Sequence, residues 1–279
     1  MRHVRVRAQT CCADAQRLSQ RPPQRVFFCV SALLFILSAA VTIVWCGSMS
    51  AMSEMPMPGG WTMSMAWMRM PGQTWLQSLA SFLGMWAAMM AAMMLPSLTP
   101  MLWRYRQAVM RVGTMHLGRL TLLVGTGYFC VWTAFGVAAF ALGITLAAVE
   151  MQEPLLARGI PLAAGVAVLI AGALQFTAWK AQHLDCCRAV PRSSRILTAD
   201  AGTAWRHGLR LGIHCCNCCA GPTAVLLAVG VMNLRAMAIV TVAITFERLA
   251  PAGATAARAI GVAFLGVGFI LIAQTAGLQ

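Results

Sequence analysis

Charged side chains are scarce in this 279-residue chain: only 10% of its residues are Asp, Glu, Lys or Arg, and seven of those are acidic. Soluble globular domains carry about 25% charged residues. The shortage therefore excludes an ordinary soluble domain. A membrane protein is indicated instead, because 59% of the residues are hydrophobic and the mean hydropathy is +0.73.

Several familiar motifs are also absent from the sequence. It contains neither a Walker A phosphate loop nor the D-K-T-G phosphorylation sequence, which argues against an ATP-driven pump within this chain. It has no C-x-x-C-H haem attachment sequence. A metal-binding or transport protein is therefore favoured over an enzyme.

Long apolar stretches are abundant, and seven of them can cross the hydrocarbon core of a bilayer as helices. They cover residues 26–46, 76–95, 120–149, 160–179, 211–231, 234–250 and 259–276. The sixth is the weakest, because charged or polar residues bracket its short centre, so six spans is the alternative. The sequence predicts an all-α, polytopic transmembrane helix bundle at residues 26–279, which follows a basic cytoplasmic tail at residues 1–25.

The positions of the basic residues predict how these spans are oriented, since loops rich in Lys and Arg stay in the cytoplasm. With the N-terminus inside, all 21 basic residues fall on the cytoplasmic side except Arg69, Arg158 and Arg235. The net charge of +14 is spread over short segments and forms no single patch. We therefore expect a lipid bilayer as partner, and no nucleic acid.

Thiols gather on the predicted cytoplasmic side, in HLDCCRAV and in GIHCCNCCAG. The candidate ligands there are Cys186, Cys187, His214, Cys215, Cys216, Cys218 and Cys219. Cytoplasmic thiols stay reduced, and thiolates bind soft metals. The cluster favours metal or redox chemistry over chance packing. Cys29, Cys46 and Cys130, which lie within spans, are expected to be small buried side chains.

Methionine is concentrated on the opposite face and in the span that follows it. The predicted external loop spaces its methionines as M-x-M, and its candidate ligands are Met55, Met57, Met63 and Met65. In the next span, Met89, Met90, Met93 and Met94 share one sector of the helix. Thioethers prefer Cu(I) to Zn(II). The alternatives are packing for the span and a surface-lying anchor for the loop.

A few other polar residues lie in or near the spans, where such residues tend to be functional. Glu247 and its neighbour Arg248 are interpreted either as a snorkelling ion pair or as part of a transport site. Gln175 and Lys180 lie beside the cysteine loop. Asn233 is expected to cap or turn the hairpin between the fifth and sixth spans.

These segments resemble a family of bacterial, predicted metal-binding integral membrane proteins built on a domain of unknown function. The resemblance covers most of the chain after the first span. The matching segments are WAAMMAAMMLPSLTPM at 86–101, the Gln175 and Lys180 pair before DCCR, CCNCC, GVMN, and FER around Glu247. The resemblance implies location in the bacterial inner membrane and a bound metal, with copper favoured, but it implies no mechanism.

The family's C-x-G-C-C-W pattern falls on Cys215, Cys218 and Cys219 of this sequence. Asn217 stands where the pattern has glycine, and Ala220 stands where it has tryptophan. Cys216 is an additional thiol beyond the pattern. The resemblance therefore implies a metal site at this segment but does not fix how many ions it holds.

Together, these features predict a membrane protein that binds a soft metal, Cu(I) first and Zn(II) as the alternative. External methionines would collect the ion, span methionines would pass it on, and the cysteines would receive it. The function would be uptake, or delivery to a copper enzyme or a soluble copper carrier. A membrane thiol-disulfide oxidoreductase and a structural membrane subunit are the competing hypotheses.

Overall fold

The computed structural model describes residues 2–50, 55–56, 62–63, 72–110, 116–188 and 200–277. Within these ranges the chain forms eight helices and one pair of two-residue strands. The helices are α1 (Arg2–Ser50), α2 (Trp75–Met110), α3 (Leu117–Gln152), α4 (Pro154–Leu174), α5 (Ala178–Arg188), α6 (Ala201–Val229), α7 (Leu234–Leu249) and α8 (Gly253–Gly277). The predicted all-α helix bundle is confirmed.

Six helices in the described ranges are long and apolar enough to cross a membrane. They are Gln24–Met49, Trp75–Met110, Leu117–Gln152, Ala157–Leu174, Ala201–Val229 and Gly253–Thr275. Helix α7 has only 16 residues, fewer than the roughly 20 that a span requires. The fold therefore supports the lower of the two predicted counts.

Helix α7 owes its short length to signals at both of its ends. Asn233 caps the first turn, as predicted, because its side-chain oxygen accepts a hydrogen bond from the Ala236 backbone N–H at 3.1 Å. Ahead of it, Gly230 ends α6 with φ +120°, a conformation that glycine adopts readily. Pro251 lies just beyond the last turn of α7, where the chain leaves the helix.

The outer surface of the bundle is strongly apolar. Large side chains such as Val44, Leu76, Leu122 and Ile239 are exposed, which would be unfavourable over so wide a surface in water. Such a surface is compatible with a multi-pass membrane protein. The expectation for cysteines within spans is confirmed for Cys46, which is buried, and wrong for Cys29 and Cys130, which are exposed on this apolar exterior.

Glycines bring α3 and α6 into close contact. A Cβ added at Gly127 would lie 2.8 Å from the Trp205 carbonyl oxygen, and one added at Gly208 would overlap the Val124 carbonyl oxygen. Helix backbones can approach this closely only where residues lack side chains. The close approach lets Tyr128 on α3 reach Cys215 on α6.

Helix α2 runs through the main core. Trp86 is buried there, together with the methionines Met85, Met89, Met90, Met93 and Met94. The Trp86 indole N–H donates to the Trp132 carbonyl oxygen on α3 at 2.9 Å, which ties the two helices together without leaving that buried donor unpaired. The methionine sector predicted from sequence therefore faces inward.

The segment HLDCCR, interpreted from sequence as part of a loop, is instead the second half of helix α5. Leu184 and Cys187 lie three residues apart and are both buried against Cys218 and Ala257. This short helix therefore has an apolar face that packs on α6 and α8. It carries Lys180 and the Cys186–Cys187 pair into contact with the bundle.

Candidate metal site

Three of the predicted cysteine ligands lie on one buried face of α6. Cys215, Cys218 and Cys219 are spaced i, i+3 and i+4, which places them on the same side of a helix, and all three are fully buried. Cys216 lies about 100° around the helix from Cys215 and is half-buried. The helix is fixed at its start by Asp200, whose carboxylate accepts a hydrogen bond from the Gly202 backbone N–H at 3.1 Å.

These thiols form a packed cluster that extends to α5. Cys215, Cys218 and Cys219 are buried on one face of α6, and Cys218 packs against Cys187 of α5. The hydrogen bond to Cys218 and, secondly, burial raise the pKa of the Cys187 thiol above its ordinary value. A raised pKa favours the protonated form of Cys187.

Cys186, the neighbour of Cys187, is exposed. The two residues line a cavity of about 50 Å³ between α2, α3, α5 and α6, which has room for a small number of water molecules. The cysteine cluster thus has a surface thiol, Cys186, beside its α5 member Cys187.

The buried guanidinium of Arg248, on α7, lies against this cluster. Its Nη2 donates to the sulfur of Cys215 at 2.8 Å and to the sulfur of Cys219 at 3.2 Å. Its Nη1 donates to the hydroxyl of Ser97 on α2 at 3.2 Å. A buried cation requires an anionic partner, and a guanidinium beside sulfur favours the thiolate form. The contacts therefore indicate that negative charge is carried by Cys215 or Cys219.

A second buried cation stands close by. The Nζ of Lys180 lies 2.7 Å from a carboxylate oxygen of Glu247 and donates to the backbone carbonyl oxygen of Cys218 at 2.5 Å. Lys180, Glu247 and Arg248 together carry a net charge of +1. One thiolate makes this buried group neutral, which is the condition that a low-dielectric interior favours.

The interpretation of Glu247 and Arg248 as a snorkelling pair is wrong. Both residues are buried; Glu247 pairs with Lys180, and Arg248 contacts the thiols. The physical reason is that consecutive residues on a helix point in directions about 100° apart and do not face each other.

Two more groups complete the surroundings of Cys215. The sulfur of Met94, on α2, lies 3.9 Å from the Cys215 sulfur, and the Tyr128 hydroxyl lies 2.8 Å from it. Met89, Met90 and Met93 precede Met94 on the same helix and are buried in the same core. The structure therefore brings one of the four predicted span methionines into direct contact with the cysteine cluster.

His214 is placed beside this cluster and pairs with His183, a histidine outside the candidate ligands predicted from sequence. Its Nδ1 lies 3.2 Å from the Nδ1 of His183 on α5, and both rings are half-buried. Trp179 packs edge-on against His183, with ring centroids 4.8 Å apart.

The external methionine candidates are only partly described. Met55–Pro56 and Thr62–Met63 form antiparallel strands β1 and β2, and their register places Met55 opposite Met63. Met57 and Met65 lie outside the described residues. The proposed role of the external loop is therefore untested by the fold.

The number and type of donor atoms determine which metal ion the site can bind. Across the part of the chain that the structure describes, no three His, Cys, Asp or Glu side chains converge as a ready-made metal-binding group. Structural zinc sites use four such ligands. Cu(I) is soft and is satisfied by two sulfur ligands in a linear arrangement. The neighbouring thiols Cys215 and Cys219 offer such a pair.

Sequence reasoning missed Tyr128 and Ser97, and it gave Lys180 no partner. The available signal was the polarity of these residues within apolar segments, where polar groups need partners. That signal marks a residue as important but does not identify the helix that lies opposite it. The partners follow from the packing of α2, α3, α5, α6 and α7 around one point.

The fold and the site together define an α-helical protein with membrane-type helices and a buried, thiol-rich centre suited to a soft metal. Residues 83–271 match the model of the PpoB2 copper chaperone family. This match covers more than half of the chain, which therefore belongs to that copper chaperone family. It supports the copper-related part of the resemblance noted above. Comparison with curated proteins and with solved structures gives no match.

Proposed function

We propose that this protein is a membrane-embedded chaperone that holds Cu(I) on Cys215 and Cys219 and passes it to a copper enzyme or a soluble copper carrier. One observation carries the proposal: the buried Cys215 sulfur touches a cation, Arg248, and a second soft donor, Met94. This is a preformed environment for a monovalent cation bound to sulfur.

Arg248 acts in this proposal as the cation that occupies the site in the copper-free protein. Arg248 stays in the protein, so Cu(I) adds one positive charge to this buried group, and loss of the proton from the second thiol ligand balances that charge. Arg248 also bonds to Ser97, which leaves it one partner when it withdraws from the thiols. In this proposal, copper entry begins with movement of the Arg248 side chain away from the thiols.

The choice of Cu(I) over Zn(II) is supported by charge and by donor number. A divalent ion brings one more buried positive charge, which requires an additional thiolate. The thioether of Met94 favours Cu(I) and contributes little to zinc binding. Zn(II) is the alternative ion.

We propose that Met89, Met90 and Met93 deliver the ion to Met94 and so to Cys215. Their burial beside the cluster supports this route, since weak thioether donors allow an ion to leave as well as enter. Met55, Met57, Met63 and Met65 would collect copper outside. Cys218 and Cys187 would carry it towards Cys186, and Cys216 and His214 would be further ligands for the ion on α6. The predicted orientation places this exit in the cytoplasm of a bacterium.

The metal content of the purified protein tests the proposal. A Cys215→Ser, Cys218→Ser and Cys219→Ser variant is expected to lose the copper that mass spectrometry detects in the unchanged protein. Cys29→Ser combined with Cys130→Ser is the matched control, because both thiols are exposed and neither belongs to the cluster. That control is expected to keep its copper.

Other outcomes would favour the competing hypotheses. A protein without metal whose cysteines cycle reversibly between dithiol and disulfide would be an oxidoreductase, although thiol exchange requires access for a second sulfur and these thiols are fully buried. Zinc in place of copper would contradict the chosen ion. Neither metal nor thiol cycling would indicate a structural subunit.

A further inference from the structure

We infer that His183 and His214 form a second, two-nitrogen Cu(I) site that exchanges copper with the buried cysteines. The inference rests on the proposed function, because a site that passes copper on requires the buried Cys215 and Cys219 site as its source or acceptor. It adds His183 on α5, which neither the cysteine motif nor the methionine route includes.

The geometry of the pair is that of two donors aimed at one point. The Nδ1 atoms lie 3.2 Å apart, and the ring centroids lie 5.5 Å apart with the planes tilted by 44°. Two neutral imidazoles at this distance share one hydrogen, which one Nδ1 donates to the lone pair of the other. A small separation of the two rings makes room for an ion in place of that hydrogen.

The histidine pair lies between the surface of the bundle and the buried cysteine site along α6. His214 immediately precedes Cys215 on α6, and both rings of the pair are half-buried while Cys215 is fully buried. His183 is held from the other side by Trp179. An ion on the pair can therefore be reached from outside the bundle, and its ligand His214 is one residue along α6 from the first buried thiol.

The chemistry of the pair favours Cu(I) and a short residence time. Imidazole nitrogen is an established copper ligand, and two ligands in line satisfy Cu(I), whereas zinc sites use four ligands. When the ion binds, the ring that donated its Nδ1 hydrogen carries its proton on Nε2, so no net proton is lost. Copper stays in the +1 state. Imidazole holds Cu(I) less tightly than thiolate, which directs the ion towards Cys215.

The test loads purified full-length protein anaerobically with one and then two equivalents of Cu(I), supplied as its acetonitrile complex. X-ray absorption at the copper edge then identifies the neighbouring atoms. We expect sulfur neighbours at one equivalent and additional nitrogen neighbours at two. His183→Gln and, independently, His214→Gln should each abolish the nitrogen signal. His116→Gln is the matched control, because His116 is exposed at the start of α3 and should leave the signal unchanged.

A rate measurement tests the relay itself. Transfer of Cu(I) from the one-equivalent protein to the chelator bicinchoninate should slow by about tenfold in His183→Gln, with unchanged copper content at one equivalent and unchanged helix content by circular dichroism. Sulfur neighbours alone at two equivalents, or nitrogen neighbours that survive both histidine changes, would overturn the inference. Absence of sulfur-bound copper at one equivalent would instead overturn the proposed function. The nitrogen signal at two equivalents would still test the histidine pair in that case.

Discussion

At the scale of single residues, one buried lysine, Lys180, connects three helices. Lys180 neutralises Glu247 and also bonds to the backbone of the helix that carries the thiols. It therefore joins α5, α6 and α7 at one point. A buried ion pair contributes little net stability compared with apolar side chains, but breaking one strands a charge in the interior.

Replacing Lys180 with methionine is expected to destabilise the protein by about 3–5 kcal/mol. The side chain keeps its length while Glu247 loses its cation and the Cys218 carbonyl oxygen loses a donor. Thermal unfolding of the purified protein in detergent measures the loss.

The matched experiment removes both charges together. Lys180→Met combined with Glu247→Gln should recover most of the stability lost in the single variant, because no ionised group remains stranded. Equal melting temperatures for the single variant and the unchanged protein would show that this ion pair does not hold the three helices together.

The sequence identified the thiols but not their cationic partner. Cys215, Cys218 and Cys219 could be placed on one face from spacing alone, because a helix repeats every 3.6 residues. Arg248 lies 29 residues beyond Cys219, and its contact with the thiols depends on how α7 folds back on α6. That packing is a tertiary property that no local spacing contains.

At the scale of helices, the contact between α3 and α6 sets the position of Cys215. Gly208 has no room for a side chain, because a Cβ would overlap the Val124 carbonyl oxygen. A Cβ added at Gly125, on α3, would meet no atom within 4 Å. The two glycines therefore allow a controlled comparison of crowding.

Gly208→Ala is expected to destabilise the protein by about 1–3 kcal/mol, since overpacking forces the two backbones apart. Gly125→Ala should be neutral or stabilising by up to about 1 kcal/mol, because alanine favours the helix. Thermal unfolding measures both, and copper retention should fall only in Gly208→Ala, as Tyr128 moves away from Cys215. A neutral Gly208→Ala would mean that the two helices can separate without consequence.

Helices that contain a long apolar run, such as α2, α3 and α8, could be predicted from the sequence. Two short elements were not. Helix α5 was interpreted as part of a loop because its apolar face consists of little more than Leu184 and Cys187. Helix α7 was marked as the weakest span, and its 16 residues confirm that weakness. Short elements are fixed mainly by their neighbours, so periodicity says little about them.

At the scale of the whole molecule, membership of a copper chaperone family and a buried sulfur centre agree with each other. The site lies where five helices meet, one of which is the methionine-lined α2. The orientation in the membrane, the inner-membrane location and the role of the external loop remain predictions from the distribution of arginine and methionine. None of them is needed for the central claim, which concerns the atoms that bind copper.

The ligands of the first copper ion test that claim most directly. Purified protein carrying one equivalent of Cu(I) is measured by X-ray absorption at the copper edge, beside a Cys215→Ser and Cys219→Ser variant and the Cys29→Ser and Cys130→Ser control. Sulfur is expected to be the only neighbour of copper in the unchanged protein and in the control, and the first variant is expected to lose that bound copper. Oxygen or nitrogen neighbours at one equivalent, or unchanged sulfur neighbours in the Cys215 and Cys219 variant, would contradict the claim.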